Sequence, residues 1–388
     1  MSSDKTGDGK PIHILFVGAG AVGCFYASRL HHPQFQVPVF SPLPLKPQPS
    51  KNIHVSLVCR SNYPAIAKSG VTLETRNFGT YTFTPHAVFP SIPDAAASPP
   101  PSGAWDYVVV TTKALPDVTD DSADIAPLVD AQAGKTCIVL IQNGVGIEAA
   151  HRARFPRNPI VSAVTVISAE QLRHGYVRQN RWTRISMGAY TDGLASASSS
   201  IRSPDLQALR ERGDACVREL VRLFNDLGGL RDAEFYTELA LQQVRWHKLT
   251  INAAMNPSSI LSGGRGNADM VADPELRAHL KGIMQEIWDA APKILGEPFP
   301  EEKLATPEKI LVSTERNKGG KPSMLLDWER GSPLEIEVIL GLPIKIARER
   351  GVELPRLQTV YALLKSQAYV RELRKREEKE GPKGETKL

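Results

Sequence analysis

The sequence predicts an α/β fold in which an N-terminal domain built on a parallel sheet is followed by a C-terminal all-α helical domain. A chain of 388 residues is longer than one hydrophobic core usually supports, so two domains are expected. In the first half, short runs of β-branched apolar residues alternate with helical or loop segments, a pattern typical of parallel strands joined by crossovers. After about residue 205 the apolar residues recur at helical spacing instead.

The predicted strands of the first half are short and apolar. The first, within "IHILFVGAGAVGCFYASRL", is followed at once by a glycine turn and a helix. The segment "VTLETRNFGTYTFTP" predicts an antiparallel hairpin that turns between Asn77 and Gly79. Two proline-rich stretches, "HHPQFQVPVFSPLPLKPQPSKN" and "PSIPDAAASPPPSGA", are expected to be surface loops without regular structure. The remaining predicted strands are "IHVSLVCR", "YVVVTTK", "TCIVLIQN" and "IVSAVTVIS".

The composition predicts five segments along the chain. Residues 1–11 are expected to be disordered, and residues 371–388 to form a charged, flexible tail. The stretch "TDGLASASSSIRSP" is rich in small polar residues and predicts a linker over residues 191–204. The sheet domain then covers 12–190 and the helical domain 205–370. The predicted long helices run from about Asp205 to Leu227, Glu234 to Asn256, Asp273 to Leu295 and Leu334 to Arg350.

Charge and cysteine content argue against several classes of function. Lys and Arg total 47 against 42 Asp and Glu, with the signs interspersed, so no nucleic-acid partner is predicted. No apolar stretch is long enough to cross a bilayer, so no membrane partner is expected. The four cysteines lie far apart without metal-type spacing, which predicts reduced thiols and no metal site. The polar N-terminus lacks a secretory signal, which predicts a cytoplasmic protein and leaves a mitochondrial location open.

A glycine-rich turn carries the first chemical signal. The pattern Gly-x-Gly-x-x-Gly directly follows the first predicted strand and opens a helix. In this setting the first glycine permits a tight turn, the second lets a pyrophosphate approach the backbone, and the third lets helix and strand pack closely. The N-terminal domain is therefore predicted to be of the Rossmann type and to bind a dinucleotide. The candidate cofactor-binding residues of this turn are Gly18, Ala19, Gly20, Ala21, Val22 and Gly23.

Three further residues at predicted strand ends are candidates for cofactor binding. Arg60 ends the second strand, where a basic residue favours the 2′-phosphate of NADPH over NADH. Because Arg60 lies further from the glycines than is usual, an ordinary surface arginine is the alternative. Lys113 and Asn143 follow two later strands, and parallel strands bring such residues to the carboxyl edge where ligands bind. A solvated loop lysine and a simple Asn-Gly turn are their alternatives.

Lys248, Asn252 and Asn256 recur every four residues in "WHKLTINAAMNPSSI". Positions four apart form one slanting stripe on a helix, and apolar residues flank this stripe, which is typical of a pocket wall. Pro257 is expected to stop or kink the helix just after Asn256. Hydride delivery to a ketone creates an alkoxide, and a partly buried lysine with a lowered pKa can supply the proton that this oxygen needs. The wet side of an ordinary helix is the alternative.

A second polar group occurs in "PSMLLDWERGSPLEIEVIL". Ser323 can donate to a carboxylate, and Glu335 can accept from a substrate hydroxyl while holding a lysine charge. Glu335 and Glu337 are about 200° apart on a helix, so at most one of them faces the same pocket. Gly331 and Pro333 are expected to interrupt the helix before Glu335. A capping serine and exposed carboxylates are the alternative.

Taken in order, the glycine turn, "TTKAL", "QNGVG", "WHKLTINAAMNP" and "SMLLDWERGSPLEIEVILG" resemble the ketopantoate reductase family, also called 2-dehydropantoate 2-reductases. The resemblance covers nearly the whole chain, from about Ile12 to Tyr369. It implies NADPH-dependent reduction of 2-dehydropantoate to (R)-pantoate in pantothenate synthesis. It also implies that Lys248 is the catalytic acid, that Glu335 binds the substrate hydroxyl, that Asn252, Asn256 and Ser323 bind substrate, and that Arg60, Lys113 and Asn143 lie on the cofactor side.

The sequence departs from the family in the long insertion before Arg60, the proline-rich stretch near Pro99 and the charged C-terminus. Paralogues of this fold can reduce other branched 2-oxo acids, so such a substrate is one alternative to ketopantoate. A non-catalytic, NADPH-binding regulator is the other, and it would not need both a lysine and a glutamate. The predicted partner is a small-molecule 2-oxo acid, and a homodimer through the helical domain is compatible with this architecture.

Overall fold

The computed structural model of the protein describes residues 10–31, 53–193, 204–316 and 318–380. These residues form two compact units. Outside the described residues lie most of the predicted disordered N-terminus, nearly all of the first proline-rich stretch, most of the predicted linker and the end of the predicted tail. Of the described residues, the first unit contains those up to 114, those in 120–142 and those in 147–242. The second contains those in 115–119, those in 143–146 and those from 243 onward.

The strands described in the first unit form one ten-stranded sheet. They are β1 (Ile12–Val17), β2 (Ile53–Val58), β3 (Val71–Thr75), β4 (Gly79–Phe83), β5 (Val88–Phe89), β6 (Tyr107–Val110), β7 (Cys137–Leu140), β8 (Ile160–Arg173), β9 (Tyr176–Ala189) and β10 (Ala233–Phe235). Their order is β4-β3-β9-β8-β7-β6-β1-β2-β5, with β10 paired to β9. Neighbours from β8 to β5 along that path run parallel, whereas β3 with β4 and β8 with β9 are antiparallel. The Rossmann-type fold and the hairpin of β3 and β4 are therefore confirmed.

Residue pairing aligns four strand ends at one edge of the sheet. Val17 of β1 pairs with Val58 of β2 and with Val110 of β6, and Val110 pairs with Leu140 of β7. The residues that follow these positions emerge at the same carboxyl edge, which is the edge where open parallel sheets bind ligands. The glycine turn after β1 is one of these segments.

The central strands are buried on both faces because nearly all their side chains are apolar. Every residue of β1, β6 and β7 is buried, as expected for a parallel sheet covered by helices. Helix α1 (Ala21–Leu30) packs against β8 and β9, and its Phe25 and Tyr26 are each 0% exposed. Burying one such side chain contributes about 1.5–3 kcal/mol. The hydroxyl of Tyr26 donates to the carbonyl of Thr183 at 3.1 Å, so its burial leaves that polar group satisfied.

The second proline-rich stretch, which was expected to lack regular structure, contains a short helix, Ile92–Ala96. Ser91 caps this helix by accepting a hydrogen bond from the backbone N–H of Asp94 at 3.3 Å, and a proline is tolerated in the first turn. The other helices described in the first unit are α2 (Tyr63–Ser69), α4 (Asp121–Asp124), α5 (Glu148–Arg154) and α6 (Pro204–Arg222), and the short helix is α3. Ala126–Leu128 forms a 3₁₀ turn, and Leu223–Leu227 continues α6 as a π-helical turn.

The division between the units falls after Gln242 rather than at the predicted linker. Helix α6 belongs to the first unit because it packs closely on β9: a Cβ added at Gly213 would lie 2.7 Å from the Cβ of Ala189. The helix predicted from Glu234 also begins later. Its first residues form β10, and the N–H of Tyr236 donates to the carbonyl of Met187 on β9 at 2.8 Å.

All the secondary structure described in the second unit is helical, which confirms the predicted all-α domain. Helix α7 begins in the first unit and continues into the second from Gln243. A π-helical turn, Glu337–Gly341, leads directly into a helix near the position where one was predicted from Leu334. The helices are α7 (Glu238–Leu261), α8 (Asn267–Ala272), α9 (Pro274–Leu295), α10 (Pro307–Glu315), α11 (Ser323–Glu329), α12 (Leu342–Glu349) and α13 (Pro355–Glu380).

Two further predictions, one on a helix end and one on the tail, are wrong. Helix α7 does not stop at Asn256 but continues through Pro257 to Leu261. Residues 253–260 are all buried, and this packing outweighs the cost of an interior proline, which is about 3 kcal/mol. The segment from residue 371, predicted to be a flexible tail, is helical as far as Glu380. Arg371 anchors it, with its guanidinium 4.1 Å from the ring centre of Trp328.

Two findings hold for the residues that the structure describes. No helix among them is both long and apolar enough to span a membrane. They contain no group of three or more His, Cys, Asp or Glu side chains that could hold a metal ion. The cytoplasmic location and the homodimer stay predictions.

Candidate active site

Two of the three glycines in the turn after β1 are required by the fold itself. Gly18 has φ +112°, and a Cβ there would lie 2.9 Å from Oγ1 of Thr111. A Cβ at Gly23 would lie 2.4 Å from the carbonyl oxygen of Gly18, so only glycine lets helix and turn approach this closely. Gly20 differs, because a Cβ there would meet no atom of the protein within 4 Å. The open side of Gly20 is where the dinucleotide pattern places a pyrophosphate.

The N-terminus of α1 offers donors to an anion. The helix begins at Ala21 after Gly20, and its first turn holds no acidic residue. No side chain of the described residues caps this end. The first N–H groups of a helix have no partner within it, and the helix dipole places positive potential there. The turn therefore fits the phosphates of a dinucleotide, which the fold implies.

Two side chains that the sequence analysis did not single out hold this turn in place. Oγ1 of Thr111 donates to the carbonyl of Gly18 at 2.7 Å. Nδ2 of Asn62 donates to the carbonyl of Ala19 at 2.6 Å, and Asn62 also exchanges hydrogen bonds of 2.9 and 3.0 Å with Gln171. Asn62 and Thr111 each follow a strand end closely, which was the one signal in the sequence that could have identified them.

The predicted cofactor residues Arg60 and Lys113 lie just beyond strand ends in the first unit. Arg60 is exposed and is the second residue after β2, whereas Lys113 is partly buried and is the third after β6. Beside them, the buried Gln142 donates to the carbonyl of Thr112 at 3.0 Å. The structure thus places Arg60 and Lys113 at the edge that carries the glycine turn, as predicted, while their contacts with a cofactor stay a prediction.

In the second unit, three predicted site residues come together although they are distant in sequence. Nζ of Lys248 donates to Oδ1 of Asn143 at 2.8 Å. Nδ2 of Asn143 in turn donates to Oε2 of Glu335 at 3.1 Å. The amide of Asn143 thus joins the ammonium and the carboxylate, and we call these three residues the Lys–Asn–Glu group. Asn143 was expected on the cofactor side; its two hydrogen bonds link it to the predicted catalytic residues.

The backbone around Asn143 explains why its side chain is fixed. Gly144 has φ +84°, and a Cβ there would lie 2.4 Å from Val338. The N–H of Val145 donates to the carbonyl of Val338 at 3.0 Å, so the turn is attached to the π-helical turn that follows Glu335. Glycine is needed at position 144 for both the backbone angle and the close approach.

Glu335 and Glu337 face different partners, as their helical angle predicts. Glu337 accepts hydrogen bonds from the hydroxyl of Tyr361 at 2.8 Å and from Nζ of Lys365 at 2.7 Å. These partners lie on α13 and hold the π-helical turn in place. Of these two glutamates, Glu335 is therefore the one that belongs to the Lys–Asn–Glu group.

The environment of Lys248 lowers the pKa of its side chain. Burial is the main factor that lowers the pKa of Lys248, to about 8, and the positive charge of Arg245 lowers it further. Glu335 acts in the opposite direction, because its negative charge favours the ammonium. An ammonium with a pKa near 8 is protonated at neutral pH and gives up its proton far more readily than an ordinary lysine. The direction of this change is the one that a proton-donor role for Lys248 requires, and the role itself stays a prediction.

The predicted substrate-binding residues occupy different environments. Asn252 is partly buried, whereas Asn256 is 3% exposed, and its Nδ2 has no hydrogen-bond partner within the described chain. An unpaired buried donor is costly and is expected where a ligand completes its hydrogen bonds. Ser323 is exposed at the start of α11. Whether these three residues bind substrate stays a prediction.

Both parts of the chain match one family of known proteins. The family described as "Ketopantoate reductase PanE/ApbA" matches residues 14–192, and "Ketopantoate reductase PanE/ApbA C terminal" matches residues 240–368. An uncharacterised protein from Saccharomyces cerevisiae is 32% identical over 368 residues, covering 90% of this chain and 92% of that protein. A 2-dehydropantoate 2-reductase from a Nostoc species is 25% identical over 350 residues, covering 90% of this chain and 93% of its own.

The fold has solved counterparts. The crystal structure of 2-dehydropantoate 2-reductase from Methylococcus capsulatus is 30% identical in sequence and superposes with a TM-score of 0.69. The match covers 93% of this chain and 97% of that one. The sequence motifs, the two family matches and this superposition agree, and the chain belongs to the ketopantoate reductase family.

Proposed function

We propose that the protein is an NADPH-dependent reductase of a branched 2-oxo acid, with 2-dehydropantoate (ketopantoate) as its substrate and (R)-pantoate as its product. The observation that carries this proposal is the Lys–Asn–Glu group, in which the Lys248 ammonium lies 2.8 Å from Asn143 and the same amide reaches Glu335 at 3.1 Å. Reduction of a ketone needs one proton at the carbonyl oxygen, and this group contains a proton donor with its orienting partners.

The proposed reaction adds a hydride and a proton across the carbonyl bond. NADPH, when bound, supplies the hydride to the carbonyl carbon, and the carbonyl oxygen takes the bonding electron pair. Lys248 then transfers the proton from Nζ to this oxygen, so that the C=O group becomes CH–OH and Lys248 becomes a neutral amine. Asn143 holds Nζ in place by accepting its hydrogen bond, and the nearby Glu335 carboxylate stabilises the ammonium before the transfer. Solvent returns a proton to Lys248 afterwards.

The glycine turn is proposed to hold the dinucleotide in the first unit. The N-terminus of α1 donates to the phosphates, and Gly20 gives them access to the backbone. Arg60 is exposed after β2, where its guanidinium can pair with the 2′-phosphate that distinguishes NADPH from NADH. Lys113 and Asn143 are proposed to act on the cofactor side as well.

The remaining substrate contacts are proposed for Asn252, Asn256 and Ser323. The buried Nδ2 of Asn256 is a donor that a carboxylate or hydroxyl oxygen of the substrate would satisfy. Asn252 lies one turn before Asn256 on the same helix, which gives the two amides a common stripe. Ser323 can donate to the substrate carboxylate, and Glu335 can accept from its hydroxyl.

The test is NADPH oxidation by the purified protein with ketopantoate and with a panel of other 2-oxo acids. Ketopantoate is expected to be the preferred substrate; preference for another acid would change the substrate and keep the reaction class. Lys248→Met is expected to lower turnover by at least about a hundredfold while NADPH binding changes little, since general acid catalysis contributes about 10²–10⁴. Lys281→Met is the matched control, because Lys281 is an exposed lysine that forms a surface ion pair with Glu308. NADPH binding without turnover of any acid would favour a regulator instead.

A further inference from the structure

Arg245 lies close to the Lys–Asn–Glu group, yet no motif singled it out. It sits on α7 one turn before Lys248, so the two side chains are neighbours on one face of the helix. Arg245 is only 3% exposed. Its Nη1 donates to the carbonyl of Gly144 at 2.9 Å, and Gly144 directly follows Asn143.

Holding a backbone turn with a buried arginine has a high cost in free energy. Removing a guanidinium from water costs several kcal/mol unless its surroundings return that energy. The turn at Gly144 is already attached to Val338 by a backbone hydrogen bond at Val145 and by close packing. A neutral donor could have supplied one more hydrogen bond to the same carbonyl. What the arginine adds is a permanent positive charge near an ammonium.

We propose that Arg245 is a positioning residue of this reductase, which fixes the Asn143 amide through the Gly144 carbonyl and places a positive charge beside the Lys248 ammonium. The inference rests on the proposed function and extends it to a residue outside the motifs. It assigns two separable actions to one side chain. The hydrogen bond controls where the amide holds Nζ, and the charge controls how readily Nζ releases its proton.

The electrostatics of Lys248 agree with the second action. Burial is the largest cause of its lowered pKa, Arg245 is the next, and Glu335 opposes both. In the direction of ketone reduction the protonated lysine is the active form, so activity declines as the pH rises through this pKa. Without the charge of Arg245 the pKa of Lys248 rises, and the decline moves to higher pH.

The experiment compares two variants with a matched control. Arg245→Met removes both the charge and the hydrogen bond, whereas Arg245→Lys keeps the charge and loses the planar guanidinium. Arg29→Met is the control, because Arg29 is also buried, at 1% exposed, and donates to a glycine carbonyl, that of Gly228, at 2.8 Å within the first unit. Two quantities are measured: the pKa of Lys248 by NMR of protein carrying ¹³C-labelled lysine, assigned with Lys248→Met, and the pH profile of kcat with the preferred 2-oxo acid.

For Arg245→Met we expect the pKa of Lys248 to rise by about one, with the alkaline limb of kcat shifted equally, and kcat on the acid side to fall roughly tenfold to a hundredfold. In Arg245→Lys the pKa of Lys248 is expected to stay at the wild-type value, while kcat still falls. If Arg245→Met does not fold, Arg245→Lys is the variant that tests the proposal. An unchanged pKa in Arg245→Met, or a kcat loss in both variants no larger than in Arg29→Met, overturns the proposal. A raised pKa in a protein that reduces no 2-oxo acid supports the action of Arg245 on Lys248 and rejects the proposed function instead.

Discussion

Replacing Lys248 by Met is expected to change stability in a pH-dependent way that needs no assumption about substrate. The folded protein holds the pKa of Lys248 at about 8, below the ordinary value of 10.5. Below pH 8 both the folded and the unfolded chain carry the proton, and the folded protein bears the full cost of a desolvated ammonium. Between about pH 8 and 10.5 the folded protein releases the proton first, so the wild type gains stability relative to the variant as the pH rises.

The size of this effect follows from the lowering of the pKa. A fall from 10.5 to about 8 corresponds to roughly 3 kcal/mol. Lys248 is only partly buried, so water reduces this figure, and we expect about 2 kcal/mol. The lost hydrogen bond from Nζ to Asn143 opposes the gain by about 1 kcal/mol and depends little on pH. The difference in unfolding free energy between the wild type and Lys248→Met is therefore more informative in its pH dependence than in its value at pH 7.

The assay is thermal unfolding of the wild type, Lys248→Met and Lys281→Met from pH 7 to pH 10. For a domain of 150–250 residues, a change of 1 kcal/mol in unfolding free energy moves Tm by about 2–4 °C. The difference in Tm between Lys248→Met and the wild type should fall by about 4–8 °C across this range. The difference in Tm between Lys281→Met and the wild type should stay constant. A constant offset for Lys248→Met as well would mean that the pKa of Lys248 is not lowered, and the proton-donor argument would fail with it.

Two further predictions concern the cofactor. Arg60→Ala is expected to weaken NADPH binding by roughly tenfold to a hundredfold, the range for a charge-assisted hydrogen bond, and to leave NADH binding nearly unchanged. Lys68→Ala, at the end of α2, is the surface control, and an equal loss for both nucleotides would reject the role of Arg60. Gly20→Ala should keep the stability of the wild type, since its Cβ meets no protein atom within 4 Å, but should bind NADPH more weakly. Gly23→Ala should lower Tm as well, because its Cβ would lie 2.4 Å from the Gly18 carbonyl; equal Tm values for both variants would contradict this distinction.

The parts of the fold that the sequence predicts well depend on local patterns. Continuous apolar runs identify buried parallel strands, and the glycine spacing identifies Gly18 and Gly23, whose backbone angle and packing leave no room for another residue. The stripe of Lys248 and Asn256 follows from helical geometry alone. Such features need no knowledge of distant neighbours.

Other features depend on contacts that no local pattern contains. Helix α7 passes through Pro257 because the surrounding residues are buried on every side, and a single-helix rule cannot anticipate this. Asn62 supports the glycine turn through a hydrogen bond spanning 43 positions, and Arg245 reaches Gly144 across 101. The pairing of Asn143 with Lys248 spans 105 positions. In the sequence analysis, the family resemblance made Lys248 the catalytic acid and put Asn143 on the cofactor side, while the residue pattern alone left each with an ordinary alternative.

The free-energy cost of desolvating the Lys248 ammonium helps to distinguish an enzyme from a regulator. A nucleotide-binding regulator needs the glycine turn and the N-terminus of α1, and both lie in the first unit. Such a regulator gains nothing from a desolvated ammonium in the second unit. This ammonium is hydrogen-bonded to Asn143, and the charge of Arg245 favours loss of its proton. An arrangement that lowers stability and eases proton release is expected where a reaction uses that proton. If Lys248→Met is both relatively more stable at neutral pH and inactive, the same desolvation accounts for the two results, and the regulator hypothesis has no explanation for either.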